Sequence, residues 1–320
     1  MTPRELVARP RVRLALAFAA VYLIWGSTYL AIAFAIETLP PLLMAAARFL
    51  MAGAVLYLWA RATGIPAPAP RQWGWAFFLG GLFFLIGNGA VVWVEQELPS
   101  GLTALIVAMV SVWTAILEWA RPGGRRPGPA VVAGIVLGFA GVALLVLPGH
   151  VGGGHANPGA VLLLMGSTFA WALASVLSRE ADLPKETAMV SGMEMLAGGV
   201  LLALAGSAVG ELGQFHLGRL SLKSGLALGY LVVFGSLVTF TCFAWLLKVS
   251  TPNKVATSSY VNPMVAVFLG WALGGEPLTA RILLASLVIV VGVVLIITGR
   301  ELGLARWRAA AVTGEFKTAE

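Results

Sequence analysis

Charge is scarce in this chain. Only 11% of its 320 residues are Asp, Glu, Lys or Arg, while 59% are hydrophobic and the mean hydropathy is +0.91. A soluble domain carries about 25% charged residues, so the composition excludes a soluble globular protein and implies an integral membrane protein. Cysteine is almost absent. Cys242 stands alone, and no disulfide can form within one chain. The three histidines, His150, His155 and His216, all lie outside the apolar runs. No Cys/His cluster has ligand spacing, so neither a metal nor a cofactor is expected. No HExxH motif is present, and no membrane-embedded His could serve as base to a buried Ser, which argues against an intramembrane hydrolase. The net charge of +7 is not a nucleic-acid signal, because the basic residues sit in short links and tails where they orient a membrane protein.

Long apolar runs dominate what is present. A helix needs about 20 apolar residues to cross a bilayer, and ten runs qualify, at roughly 13–35, 40–60, 72–94, 99–119, 128–148, 158–179, 187–209, 222–247, 253–274 and 280–299. The first run is too long for a signal-peptide core and is read as an uncleaved span. The links between runs, such as TGIPAPAP and RPGGRRPGP, are rich in Gly and Pro and break helices for local backbone reasons. The distribution of Lys and Arg tests this map. With a cytoplasmic N-terminus, 17 of the 21 basic residues fall inside; Arg219, Lys223 and Arg281 fall outside, and Arg48 lies within a span. One missed helix would invert every later link, so this asymmetry supports ten spans with both termini cytoplasmic.

The pattern occurs twice. Trp25 in WGSTYLA matches Trp171 in WALASVL, MAGAVL from Met51 matches LAGGVL from Leu196, Trp93 matches Trp245, and Gly141 in GVALL matches Gly292 in GVVLI, at separations of 145 to 152 residues. Five spans per repeat is an odd number, so the second copy enters the membrane from the opposite side. The fold class expected is all-α, ten transmembrane helices as two five-helix inverted repeats. The first repeat covers 1–149 (spans one to five), 150–157 form a periplasmic linker, the second repeat covers 158–299, and 300–320 form a cytoplasmic tail. Inverted repeats of this kind belong to secondary transporters, with the substrate site between the halves.

Three stretches carry a family resemblance: WGSTYLA in the first span, AAARFLMAG in the second and NPMVAVFLGWALGGEPLT, Asn262 to Thr279, in the ninth. The chain resembles the drug/metabolite transporter superfamily, in its ten-helix EamA-type branch, over roughly residues 13 to 299. The first repeat departs from the pattern: Ser111 stands where Pro263 has its mate, and ARPGGRR replaces a Gly-Glu turn after the fourth span. The resemblance implies a carrier of the bacterial inner membrane. Family members export amino acids, YddG-type exporters among them, or other metabolites and drugs. Export of amino acids is therefore the leading expectation; another metabolite or an organic cation is the second and a channel the third. Such a carrier needs a small-molecule substrate and a lipid bilayer. It needs no nucleic acid, and a monomer suffices because both halves of the pathway lie in one chain.

Polar residues at mid-depth mark candidate sites, because a polar group in hydrocarbon must face protein or a cavity. Trp25, Thr28 and Tyr29 share one face of the first span. Trp171 and Ser175 repeat that pattern in the sixth. Asn88 lies between two glycines of the third span, Thr241 lies in its mate the eighth, and Ser259, Tyr260 and Asn262 precede the ninth-span Pro263. These residues offer donors and acceptors to a zwitterion and rings to an apolar side chain. The competing reading is close helix packing, the usual work of Ser, Thr and Gly in membranes. Arg48 and Glu194 are ionisable and deep, at nearly matching positions of the two repeats. Arg48 is a candidate partner for a substrate carboxylate, or a structural anchor. Glu194 is read as the only deep carboxylate and hence as the first candidate for proton coupling.

Overall fold

Proline opens most of the helices. Pro10, Pro41, Pro70, Pro129, Pro158 and Pro252 are each the first residue of a helix, where the fixed φ suits the helix and the missing N–H would have had no partner. Glycine closes three of them. Gly64, Gly210 and Gly275 have φ of +88°, +85° and +67°, the left-handed conformation that ends a helix. The computed structural model describes residues 10–122, 124, 126–146, 157–250 and 252–313. These form helices, with no strand among the described residues.

The helices run in chain order α1 (Pro10–Ala35), α2 (Pro41–Ala62), α3 (Pro70–Val94), α4 (Ser100–Ala120), α5 (Pro129–Val146), α6 (Pro158–Leu177), α7 (Thr187–Ala208), α8 (222–249), α9 (252–274) and α10 (Ala280–Thr313). Eight of them are long and apolar enough to cross a membrane uninterrupted. The other two expected spans are α5, a shorter apolar helix, and α9, whose main part Ser258–Gly274 has 17 residues because a turn at Thr257 separates it from Pro252–Ala256. The last helix continues past residue 299 to Thr313, so part of the expected tail is helical. The expected linker, 150–157, lies outside the described residues except for Asn157.

Packing follows the inverted repeat. The most extensive pairings are α2 with α7 and α5 with α10, each helix against its own repeat mate; α1 packs on α9 and α8 as α6 packs on α4 and α3. Small residues permit these approaches. A Cβ at Gly53 would lie 2.9 Å from the Leu196 nitrogen, and one at Gly192 2.8 Å from the Tyr57 nitrogen, so α2 and α7 touch backbone to backbone. Gly134 and Gly292 do the same for α5 and α10, each meeting the other's carbonyl at 2.5 and 2.8 Å. The faces turned away from these contacts are apolar and exposed, as at Leu162, Leu204 and Phe268, which suits contact with lipid tails. Trp59 and Trp119, near the ends of α2 and α4, are exposed, as suits residues at a membrane interface. Trp73 instead packs against Tyr57 with ring centroids 5.7 Å apart.

Four helices are irregular at matching places. Residues Gly81–Asn88 of α3 and Leu231–Val238 of α8 are π-helical. In both, a polar side chain reaches back five residues: the Asn88 amide donates to the Phe83 carbonyl at 3.2 Å, and the Thr239 hydroxyl to the Phe234 carbonyl at 2.7 Å. The wider π turn leaves these carbonyls available, a device frequent at functional sites. In α4 and α9 the helix tightens to i→i−3 bonds at Met109 and Thr257. Pro263 has no N–H to give the Ser259 carbonyl, which interrupts α9 a second time.

Candidate functional site

The π segment of α8 gathers three of the expected residues. Trp25 donates its indole N–H to the Gly235 carbonyl at 3.2 Å, and its ring packs on Phe243 with centroids 5.0 Å apart. Thr28 is buried, its hydroxyl bound to the Trp25 carbonyl at 2.6 Å. Arg48, 6% exposed, crosses from α2 and donates from Nε to Ser236 Oγ at 3.0 Å. A Cβ at Gly235 would sit 3.0 Å from Thr28 Cγ2 and 3.2 Å from Arg48 Nη2. The absent side chain is what lets α1, α2 and α8 converge here.

The π segment of α3 repeats the arrangement in the other half. Trp171 meets Phe83 edge to face with centroids 5.0 Å apart, and its Cε3 would lie 2.9 Å from a Cβ at Gly87. Ser175 donates to the Trp171 carbonyl at 2.8 Å. Each repeat thus sets one tryptophan from its first helix against a glycine in the π turn of the other repeat's third helix. This matching supports the choice of Trp25 and Trp171 as symmetry mates.

The ninth helix supplies the third group. Asn262 is half-buried, and its side-chain oxygen is buried without a hydrogen-bond partner. Its carbonyl would lie 3.1 Å from a Cβ at Gly26, which places Asn262 against α1 one residue from Trp25. Ser259 and Tyr260 are half-buried, and Tyr260 packs against the main core. A buried amide oxygen without a donor costs about 1–3 kcal/mol, so it calls for a water or a ligand group.

Two expected residues are not brought to these clusters. Thr241 is exposed and returns its hydroxyl to the Leu237 carbonyl at 2.7 Å. Glu194 is buried in α7, which packs on α2 and α3.

Glu95 is buried as Glu194 is, but at the end of α3 rather than within a span. Glu95 follows the last helical residue of α3, is 8% exposed, and neither of its oxygens has a hydrogen-bond partner. Burial and the nearby Glu276 raise its pKa well above the ordinary carboxylate value, while Arg48 opposes the shift. In the sequence it stands in WVEQELP, among residues that read as a wet link. Only the fold covers it.

The end of the bundle that carries Glu95, opposite the N-terminus, is tied by second-repeat side chains. Glu276 takes the backbone N–H groups of Ser100 and Gly101 at 2.7 and 3.0 Å, at the start of α4. Glu211, 2% exposed, takes those of Leu42 and Leu43 at 3.1 and 2.8 Å, at the start of α2. A carboxylate on a helix N-terminus satisfies N–H groups that have no helical partner and meets the positive end of the dipole. Ser224 adds a bond to the Phe34 carbonyl at 2.8 Å, and Lys223 pairs with Glu37. At the other end, Arg179 with Glu118, Arg121 with Glu180 and Arg71 with Asp182 form ion pairs nearer the surface.

The EamA-like transporter model matches the chain twice, at residues 13–147 and 158–298. The chain belongs to the EamA-like transporter family. Its relatives agree. It is 40% identical to the uncharacterized inner membrane transporter YedA of Escherichia coli, over 88% of this chain and 90% of that protein. It is 27% identical to the uncharacterized transporter YvbV of Bacillus subtilis, over 90% and 93%. A protein of Salmonella typhimurium named a probable amino-acid metabolite efflux pump is 22% identical over 87% and 93%. A solved crystal structure at 22% identity superimposes with a TM-score of 0.59, covering 89% of this chain and 97% of that one, a likeness of fold. The EamA-like assignment makes the chain a membrane metabolite transporter, in keeping with the eight helices among the described residues that are long and apolar enough to cross a membrane.

Proposed function

We propose that this EamA-like transporter is a secondary carrier that exports small metabolites, amino acids first among them, across the inner membrane by alternating access. The observation that carries the reading is the doubled arrangement of tryptophan against π-helix glycine, Trp25 on Gly235 and Trp171 on Gly87. The two contacts differ in kind, an indole hydrogen bond in one half and a ring against the glycine in the other, but they join matching elements, as a pair of halves that exchange roles about a site between them requires. The two repeats are taken as 1–149 and 158–299, and the sidedness of the basic residues supports a cytoplasmic position for both termini. One chain completes the pathway, so a monomer suffices.

An amino acid needs donors for its carboxylate, an acceptor for its ammonium and a surface for its side chain. Arg48 and Ser236 supply the first, the orphaned Asn262 oxygen the second, and Trp25, Trp171 and Tyr260 the third. The distant efflux-pump relative supports the same substrate class. Another metabolite or an organic cation is the second reading, and Glu194 remains the candidate within a span for proton or charge coupling.

Counterflow tests the proposal without assuming a coupling ion. Liposomes holding the protein are loaded with unlabelled amino acids, and uptake of labelled ones is followed. Transient accumulation that is lost in Asn262→Ala and Trp25→Ala supports the carrier and its site. Folded protein that accumulates no amino acid rejects that substrate class, and nucleosides and organic cations are then tested in the same assay. Equilibration without any overshoot would instead indicate a channel.

A further inference from the structure

Glu95 is not among the residues of the substrate site just described, yet it is the carboxylate, among the described residues, whose two oxygens are both buried without a partner. It is more than nine-tenths buried, and both oxygens lack a hydrogen-bond donor. Two more oxygens at the same end of the bundle are buried without partners: Ser100 Oγ and Thr103 Oγ1, three residues apart on one face of α4. Ser100 gives its backbone N–H to Glu276, the residue whose charge acts on Glu95. None of these oxygens has a partner within hydrogen-bond distance, so burial at this end leaves the Glu95 carboxyl without the donors that would stabilise its charged form.

The charged and titratable groups around Glu95 come from every element near it. Arg48 on α2 attracts its negative form, Tyr29 on α1 is a titratable group near enough to feel its charge, and Glu276 beyond α9 repels it. Glu97, in the same link, is turned to the Asn157 amide at 2.9 Å. Helix α6, which packs on residues 89–94, carries no ionisable side chain. A carboxylate taken from water into such a place loses solvation that one arginine must offset against a second carboxylate.

We propose that Glu95 is a proton-binding site, and that closing this end of the carrier takes up one proton from water onto its carboxylate. The inference rests on the carrier reading only in needing two states, one with this end closed and one with it open. With the end open, Glu95 meets water and ionises at an ordinary carboxylate value. With the end closed it is held as the acid, its pKa raised. The closed state therefore binds more protons between those two values. In that window each unit of rising pH disfavours closure by up to tenfold. Below the ordinary carboxylate value the linkage vanishes, because both states are protonated.

The test uses the full chain in lipid nanodiscs with Cys242→Ser and a reporter, Leu98→Cys. Leu98 is 6% exposed in the link beside Glu95, so a thiol there reacts only when this end opens. Labelling by a maleimide is measured from about pH 5 to 8, each rate divided by that of the unfolded protein to cancel thiol ionisation. The expected result is labelling that rises with pH in the parent by up to tenfold per unit, and a flat profile in Glu95→Gln, which mimics the acid. Glu97→Gln keeps the parent profile. A parent profile without pH dependence overturns the proposal with no variant needed. So does a Glu95→Gln profile that titrates like the parent. Should Glu95→Gln not fold, Glu95→Asp keeps a carboxylate and must keep a titration with a moved midpoint; an unmoved midpoint overturns the assignment. No substrate enters this measurement, so its failure is distinct from failure of amino-acid counterflow.

Discussion

Removing the charge of Glu276 should open the end of the carrier that it closes. Its carboxylate accepts two backbone N–H groups at 2.7 and 3.0 Å at the start of α4. Bonds to a charged acceptor contribute about 1.5–3 kcal/mol each, and the helix dipole adds about 0.3–1 kcal/mol. Glu276→Gln keeps one acceptor and loses the charge. Water replaces part of the loss once the ends separate, which leaves a net of about 2 kcal/mol in favour of the open state. That is about a thirtyfold rise in its population relative to the closed state. Labelling of Leu98→Cys at fixed pH reads this directly. Glu211→Gln serves as the comparison, because Glu211 makes the same two bonds at the start of α2. Helices α2 and α7 pack along their whole length and are expected to move together, so Glu211→Gln should lower the melting temperature without raising labelling. Labelling unchanged in Glu276→Gln, or raised equally in both variants, would refute the assignment of Glu276 as the latch.

Gly87→Ala sets a Cβ 2.9 Å from the rigid Trp171 ring and should cost about 1–3 kcal/mol, seen as a lower melting temperature and slowed counterflow. Trp25→Phe removes the indole bond to Gly235 while keeping the ring; a loss of about 1 kcal/mol is expected in chemical denaturation, much less than for Trp25→Ala. Gly292→Leu must displace the Gly134 carbonyl at 2.8 Å, so folded yield should fall while the substrate profile of surviving protein stays unchanged in competition counterflow. Arg48→Lys loses the planar group that reaches both Ser236 and the Gly235 turn; amino-acid uptake should fall severalfold, and a variant with unaltered uptake would remove Arg48 from the site.

The ten spans were legible in the sequence because apolar length and the sidedness of Lys and Arg reflect the bilayer, which acts on each segment separately. The doubled motifs exposed the inverted repeat for the same reason. Trp25, Trp171 and Asn262 could be found as candidates, since a large ring or an amide at mid-depth stands out against aliphatic neighbours. Other features depend on what the chain folds against. Glu95 reads as a wet link residue until other helices cover it, and the Gly-Glu turn at Glu276 reads as a helix stop until α4 places two free N–H groups before it. Thr239, two residues before Thr241, makes the π-turn bond that matches that of Asn88, and which of the two hydroxyls does so follows from the fold rather than from composition. Local hydrophobicity and charge thus determined the number, order and expected sidedness of the helices. Which polar groups are buried, which are satisfied and which are left wanting a proton or a ligand was decided only by tertiary packing, since desolvation is a property of the neighbours a residue acquires.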